Sequence, residues 1–355
     1  MEPAHPSATP LLTLRERFFK SWFAPAAVVG GVATLVAAAL RVRPEPKGQA
    51  PAAPAGPPTG SAAAVAPSAW LERHYVLTAT IGSQALPAFR ESLLDVAVGP
   101  DDHVHALGDG EIRVFAADGS LVRRWRVADS AECVGLGPDG RVYVGGAGRI
   151  DVFESGGRPA GGFAFGAAGE KPAVSAIKVL NRDVLVADPS ARIIRRFDAG
   201  GRELGLIGDR GKTKAFILPN GRLDIDVDGA GVVRATDTGR HQVSAWAIDG
   251  TPLGKFGKFG MTDPADFVGC CNPVNVATTP DGKVVTSEKM VARVKVFEPD
   301  GRLLAVIGTE HFDPKCTQIH LAVDSNGRIL AADPVRRRIQ VFSPAAPGSA
   351  QEEPR

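Results

Sequence analysis

The chain has 355 residues, 44% of them hydrophobic and 23% charged, with 41 Lys and Arg against 39 Asp and Glu. So even a balance gives no reason to expect nucleic acid, whose binding calls for a basic surface or stripe, and no nucleic-acid partner is expected. With 41 glycines, 28 prolines and only 6% aromatic residues, the chain is rich in turns, as all-β chains are.

After an N-terminal segment, residues 1–21, the stretch from Trp22 to Leu40 runs for 19 residues without a charge. A helix rising about 1.5 Å per residue is then just long enough to cross a bilayer core of about 30 Å. Arg15, Arg17 and Lys20 precede the stretch, Arg41, Arg43 and Lys47 follow it, and Ala37 to Ala39 lie inside it. Residues 22–41 are therefore read as an uncleaved signal anchor, with flanking charges that do not decide its orientation. Residues 42–73 are a Pro/Ala-rich linker with nothing to pack against. Anchor and linker together predict a membrane-tethered protein whose remainder faces the extracytoplasmic, periplasmic side, in company with an envelope protein complex.

From residue 74 the sequence repeats. A short strand ending in an aromatic residue recurs at Phe115, Phe153, Phe197, Trp246, Phe297 and Phe342, at spacings of 38 to 51 residues. The first five are followed by Asp118-Gly119, Gly156-Gly157, Gly200-Gly201, Asp249-Gly250 and Asp300-Gly301. Such dipeptides accept the positive φ of a tight hairpin. A second turn lies upstream, as in GPDGRVYV, TPDGKVVT and DSNGRILA. Four short strands per unit of this length predict an all-β, six-bladed β-propeller over residues 74–344, followed by a disordered tail, 345–355. The sixth unit runs out after Phe342, whereas Tyr75 to Gly82 matches the outer-strand pattern of Leu303 to Gly308. The N-terminal strand is thus expected to complete the sixth blade and close the ring.

Asp188 to Phe197 (DPSARIIRRF), Asp237 to Trp246 (DTGRHQVSAW) and Asp333 to Phe342 (DPVRRRIQVF) resemble the core of NHL repeats. Glu288 to Phe297 follows the same spacing with Glu for Asp, and the first two units are shortened. The resemblance implies the propeller fold and leaves function open, since that family includes protein-binding and RNA-binding scaffolds and a zinc lyase. The lyase would need several His at the channel mouth, where this sequence offers only His320. The repeated Asp reads most simply as a structural hydrogen-bonding residue.

Aligning the repeats places Asp95, Cys133, Ser175, Asp224, Asn275 and His320 where each innermost strand begins, as a polar ring at one mouth of the axial channel, and each is followed by an apolar residue. Such a ring predicts a ligand-binding site, or simply a wet channel lining. The same register brings Cys270, Cys271, Cys316 and Cys133 towards one face. Three readings stand for them: a disulfide between Cys271 and Cys316; a metal ion or iron-sulfur centre on Cys270, Cys271, Cys316 and His320, with Cys133 as a further thiolate; or packed, unreactive thiols. Adjacent cysteines lack the spacing of a chelating pair. Other chemistry is thin: His103 and His105 could share a strand face, Lys212 and Lys214 lie in a long loop, and Asp95 and Asp224 alone would have to support an enzyme. The sequence thus predicts a non-catalytic binding or scaffolding propeller of the cell envelope, with a metal-binding or thiol-redox protein, serving electron transfer, as the alternative.

Overall fold

The computed structural model describes residues 75–82, 88–209, 211 and 215–345. The predicted anchor, the linker, and Lys212 and Lys214 lie outside those residues. No helix among the described residues is long and apolar enough to cross a membrane.

The described chain forms 24 strands. The first, β1 (Tyr75–Ile81), is followed by six runs of inner to outer strands. These are β2 (Asp95–Val98), β3 (Val104–Gly108), β4 (Glu111–Phe115) and β5 (Leu121–Arg126); β6 (Cys133–Leu136), β7 (Val142–Gly146), β8 (Arg149–Phe153) and β9 (Pro159–Ala164); β10 (Ala176–Leu180), β11 (Asp183–Asp188), β12 (Ile193–Asp198) and β13 (Glu203–Ile207). The second half holds β14 (Ile225–Val227), β15 (Val233–Asp237), β16 (Gln242–Trp246) and β17 (Pro252–Phe256); β18 (Asn275–Thr278), β19 (Val284–Glu288), β20 (Arg293–Phe297) and β21 (Leu303–Ile307); then β22 (His320–Val323), β23 (Ile329–Asp333) and β24 (Arg338–Pro344). They make six four-stranded antiparallel sheets, a six-bladed β-propeller whose inner strands stand side by side around one axis. In the sixth sheet the outermost strand is β1, paired with β24 from Tyr75 opposite Pro344 to Ile81 opposite Ile339.

The repeated aromatic ends the third strand of each blade and is buried in all six, from Phe342 at 0% exposed to Phe153 at 8%. It fills the space between neighbouring sheets. The glycine that follows is required by more than its turn. Gly201 has φ +86°, and a Cβ there would stand 2.4 Å from the Phe163 ring of the preceding blade. Gly301 meets Phe256 in the same way, at 2.5 Å. An outer-strand aromatic thus packs down on the next blade's turn, and only glycine leaves room for it.

The repeat acid is a clamp. Asp188, Asp237, Glu288 and Asp333 are buried. Each accepts a backbone N–H from the loop that enters its blade: Ala173 at 3.4 Å, Ile217 at 3.0 Å, Val268 at 2.9 Å and Asp313 at 2.8 Å. Each also holds its own hairpin, for instance Asp333 through the N–H groups of Val335 and Arg336, both at 2.9 Å. In the shortened first blade Asp109 takes this part, accepting from Arg90, Glu91 and Ser92. The entering loops are therefore held to the sheets by buried carboxylates as well as by their own core residues, such as Phe216, Phe267 and Phe312.

Candidate functional site

Five of the six predicted ring residues occupy the equivalent position. Asp95 opposes Leu107, Cys133 opposes Gly145, Asn275 opposes Ser287 and His320 opposes Ala332, each at the start of an inner strand. Asp224 exchanges hydrogen bonds with Thr236, one residue before β14. Ser175 departs from the pattern. The residue of β10 that pairs in this register is Ala176, opposite Ala187. Blade three turns from β10 to β11 through Asn181 and Arg182 alone, with Asn181 at φ +55°, whereas blade five uses five residues between Thr278 and Val284. The shorter hairpin shifts the count by one and leaves an alanine in the ring.

The polar groups at this mouth join each blade to the next. Asp95 Oδ2 accepts the Val134 N–H at 2.9 Å, and Asp224 Oδ2 accepts the Val276 N–H at 2.8 Å and Asn275 Nδ2 at 3.1 Å. Cys133 Sγ points at Val174 O, 3.7 Å away, and Ser175 Oγ donates to Leu223 O at 2.6 Å. Ser287 Oγ donates to Ile319 O at 2.8 Å, and His320 Nδ1 lies 3.2 Å from Asp95 Oδ1. Every blade junction is crossed at least once, so the polar ring is structural as well as a floor to the mouth.

Two charged residues here escape the sequence reading. With blade three in its true register, Lys178 and Asp226 stand two positions past the ring on adjacent inner strands, Nζ to Oδ1 3.2 Å. Both line a cavity of about 240 Å³ to which all six inner strands contribute, with Thr278, Gly135 and Ala322 among its other walls. Burial would lower the Lys178 pKa, but Asp226, Asp224 and Asp95 outweigh it and raise the value above that of free lysine. Burial pushes the Asp224 carboxyl up to about 6, with Asp95 adding to the shift, while Lys178 and the N–H groups of Val276 and Asn275 oppose it. Asn275 is 4% exposed, and its Oδ1 meets no donor among the groups around it. Exchanging its amide atoms would turn that oxygen onto the Asp224 carboxylate, so the orientation stands.

The cysteines do not converge. All four are free thiols. Cys133 belongs to the ring, where burial first and then Asp95, Glu132 and Asp224 push its pKa far up. Cys316 is buried among Val285, Val294 and Ile319; burial, with Asp333 and Asp313, lifts it to about 12, and its Sγ donates to Gln318 O at 3.1 Å. Cys270 and Cys271 lie on the loop between β17 and β18, Sγ to Sγ 2.7 Å. The expected Cys271–Cys316 bridge is therefore not formed. Among the described residues, no group of three or more His, Cys, Asp or Glu could hold a metal ion, so the expected metal or iron-sulfur set is not assembled either. His103 precedes β3, and its carbonyl meets His105 Nδ1 at 3.2 Å; His105 is buried edge-on to Trp125, and that burial lowers its pKa.

A second feature begins on the same face and runs along the outer edge of blade one as far as Phe115 and Leu121. The β3–β4 turn lies beside the start of β2, and around it opens a concavity of about 820 Å³. Its lining alternates in charge: Arg90, Arg113, Arg124 and Arg126 stand with Glu91, Asp109, Glu111 and Asp129. Arg113 is committed inward, to Ala88 O, Asp109 and Glu111. Arg124 and Arg126 face solvent on the outer strand β5.

No family model and no curated protein matches the sequence. Solved structures match in shape. A chain from a crystal structure of the mitotic checkpoint complex is 10% identical, over 83% of this chain and 98% of its own, with a TM-score of 0.53. The WD40 β-propeller domain of Doa1 is 15% identical, over 76% of this chain and 97% of its own, with a TM-score of 0.50. At such identities the likeness shows the propeller fold and nothing of function.

Proposed function

We propose that this chain is a non-catalytic binding module of the cell envelope, an NHL-type propeller held to the membrane by residues 22–41 and closed into a ring by β1. Its partner docks on the face where the inner strands begin. The observation that carries this reading is the concavity of about 820 Å³ beside blade one, where Arg124 and Arg126 present guanidinium groups among carboxylates. A small-molecule pocket is mostly apolar with a few placed polar groups. A lining of alternating charge suits instead the polar surface of a protein, where complementary charge sets register and partner choice. Most polar groups of the ring are spent on holding blades together, which supports a rigid platform rather than a reaction centre. The test is co-purification of the full chain, solubilised from its own membranes, beside an Arg124→Glu/Arg126→Glu variant and an Asp139→Lys control on the opposite face. A stoichiometric partner lost only in the double variant supports the reading; a partner retained by it, or none at all, overturns it.

One observation favours a second reading, a small amine on the channel axis. Asn275 Oδ1 is a buried acceptor without a donor, next to the Asp224 carboxylate. A buried acceptor left unpaired costs about 1–3 kcal/mol, which an ammonium ligand would recover. Calorimetric titration with a small primary amine tests it: saturable heat lost in Asn275→Leu supports the reading, and heat unchanged by that variant rejects it.

A further inference from the structure

Cys270 and Cys271 belong neither to the ring nor to the charged concavity, yet their sulfurs are brought to 2.7 Å. Cys270 is exposed and Cys271 is buried. The loop that carries them has positive φ at Gly269 (75°) and at Cys271 (63°). A cysteine adopts that conformation only where its surroundings hold it there. Here they do: His241 Nε2 donates to Gly269 O at 2.8 Å, Glu288 Oε1 accepts the Val268 N–H at 2.9 Å, and Asn272 Oδ1 accepts the Lys289 N–H at 2.9 Å. The two thiols therefore share one side of a fixed turn, one open to solvent and the other behind it.

We propose that Cys270 and Cys271 form a dithiol that exchanges with small or protein disulfides and closes reversibly into a vicinal disulfide. Cys270, its proton given to solvent, attacks one sulfur of the incoming disulfide; the S–S bond breaks and the first thiolate leaves. Cys271 then loses its proton to solvent and attacks Cys270 Sγ, which breaks the mixed disulfide and expels the second thiolate. Two protein thiols are oxidised by two electrons, and the incoming disulfide is reduced to two thiols. Neighbouring Cα atoms lie about 3.8 Å apart across a trans peptide, closer than the roughly 4.4–6.8 Å that disulfides ordinarily span. The bridge is therefore strained and, at Cys270, open to solvent, of the labile kind that thiols reopen. Because the loop leads directly into Asn275, exchange alters the rim of the mouth. The inference stands apart from the partner-binding reading and does not need it.

The test treats the full chain with oxidised glutathione, quenches it in acid, then unfolds, alkylates and digests it with trypsin. The peptide from Phe259 to Lys283 contains Cys270 and Cys271 and no other cysteine. It is expected unalkylated and lighter by two hydrogens, and fully alkylated after dithiothreitol. Cys271→Ser is expected to accumulate glutathione on Cys270, and Cys270→Ser, at the exposed position, to lose all exchange. A doubly alkylated peptide after treatment, glutathione retained on wild-type Cys270, or linkage to the peptide from Cys316 to Arg328 would overturn the proposal.

Discussion

Replacing Asp224 by Asn isolates the electrostatics of the channel mouth. The Asp224 carboxyl titrates at about 6 in the fold, against about 3.9 in an unfolded chain. Its pKa is raised on folding, so its contribution to stability is fully present below pH 4 and is lost as pH rises through about 6. At pH 4 the folded state holds the proton while the unfolded state has half released it; at pH 8 both have lost it. Linkage between those two pH values gives about 2 kcal/mol. The Asn variant keeps an oxygen for the Val276 N–H but has no proton to gain or lose. Whatever fixed offset the substitution brings, it cancels in the difference between the two pH values. Urea unfolding of wild type and Asp224→Asn at pH 4 and pH 8 should therefore show the variant gaining about 2 kcal/mol on wild type over that span. Parallel stabilities, within about 0.5 kcal/mol, would mean that the mouth is wet enough to leave Asp224 an ordinary carboxylate, and would refute the argument from burial.

Further outcomes follow from the same contacts. Gly201→Ala should lower stability by about 1–3 kcal/mol in urea unfolding, because the new methyl group meets the Phe163 ring at positive φ. Glu288→Gln should cost about 3–5 kcal/mol, since it leaves the fully buried Lys295 ammonium, 3.0 Å from Glu288 Oε2, without its counter-charge. Burial lowers Lys295 to about 8 despite Glu288, so between pH 7 and pH 10 wild type should gain about 2 kcal/mol on Lys295→Met, as the folded lysine sheds a proton that the unfolded state keeps. A chain beginning after β1 leaves the hydrogen-bonding edge of β24 bare and is expected to associate at concentrations where the longer chain is monomeric, as read by light scattering.

The blade repeat was legible because it is written in local chemistry: an aromatic residue and then a glycine three or four positions on. Each is needed twice, once for its own turn and once for the packing of the neighbouring blade. Radial position was not legible. Val294, Lys295 and Val296 alternate apolar and charged, yet all three are fully buried, because a third strand in a propeller is covered on both faces and alternation there does not mark exposure. The four cysteines shared a register and hence an end of the molecule, yet register does not separate the channel lining (Cys133), an entering loop (Cys270 and Cys271) and the core between blades (Cys316). Lys178 was missed for a smaller reason, the two-residue hairpin that shifts blade three by one position. The acid clamps carried a visible signal, the Asp or Glu that opens each repeat, although nothing in the spacing tells which loop the carboxylate holds.

The claim that a partner docks on the loop-bearing face is tested most directly by placing a photo-crosslinking residue in the full chain in its own membranes, at Arg126 in one version and at Asp139 on the opposite face in another. The account predicts one discrete crosslinked product from position 126 and none from position 139. Equal labelling from both, or a product from position 139 alone, would contradict it.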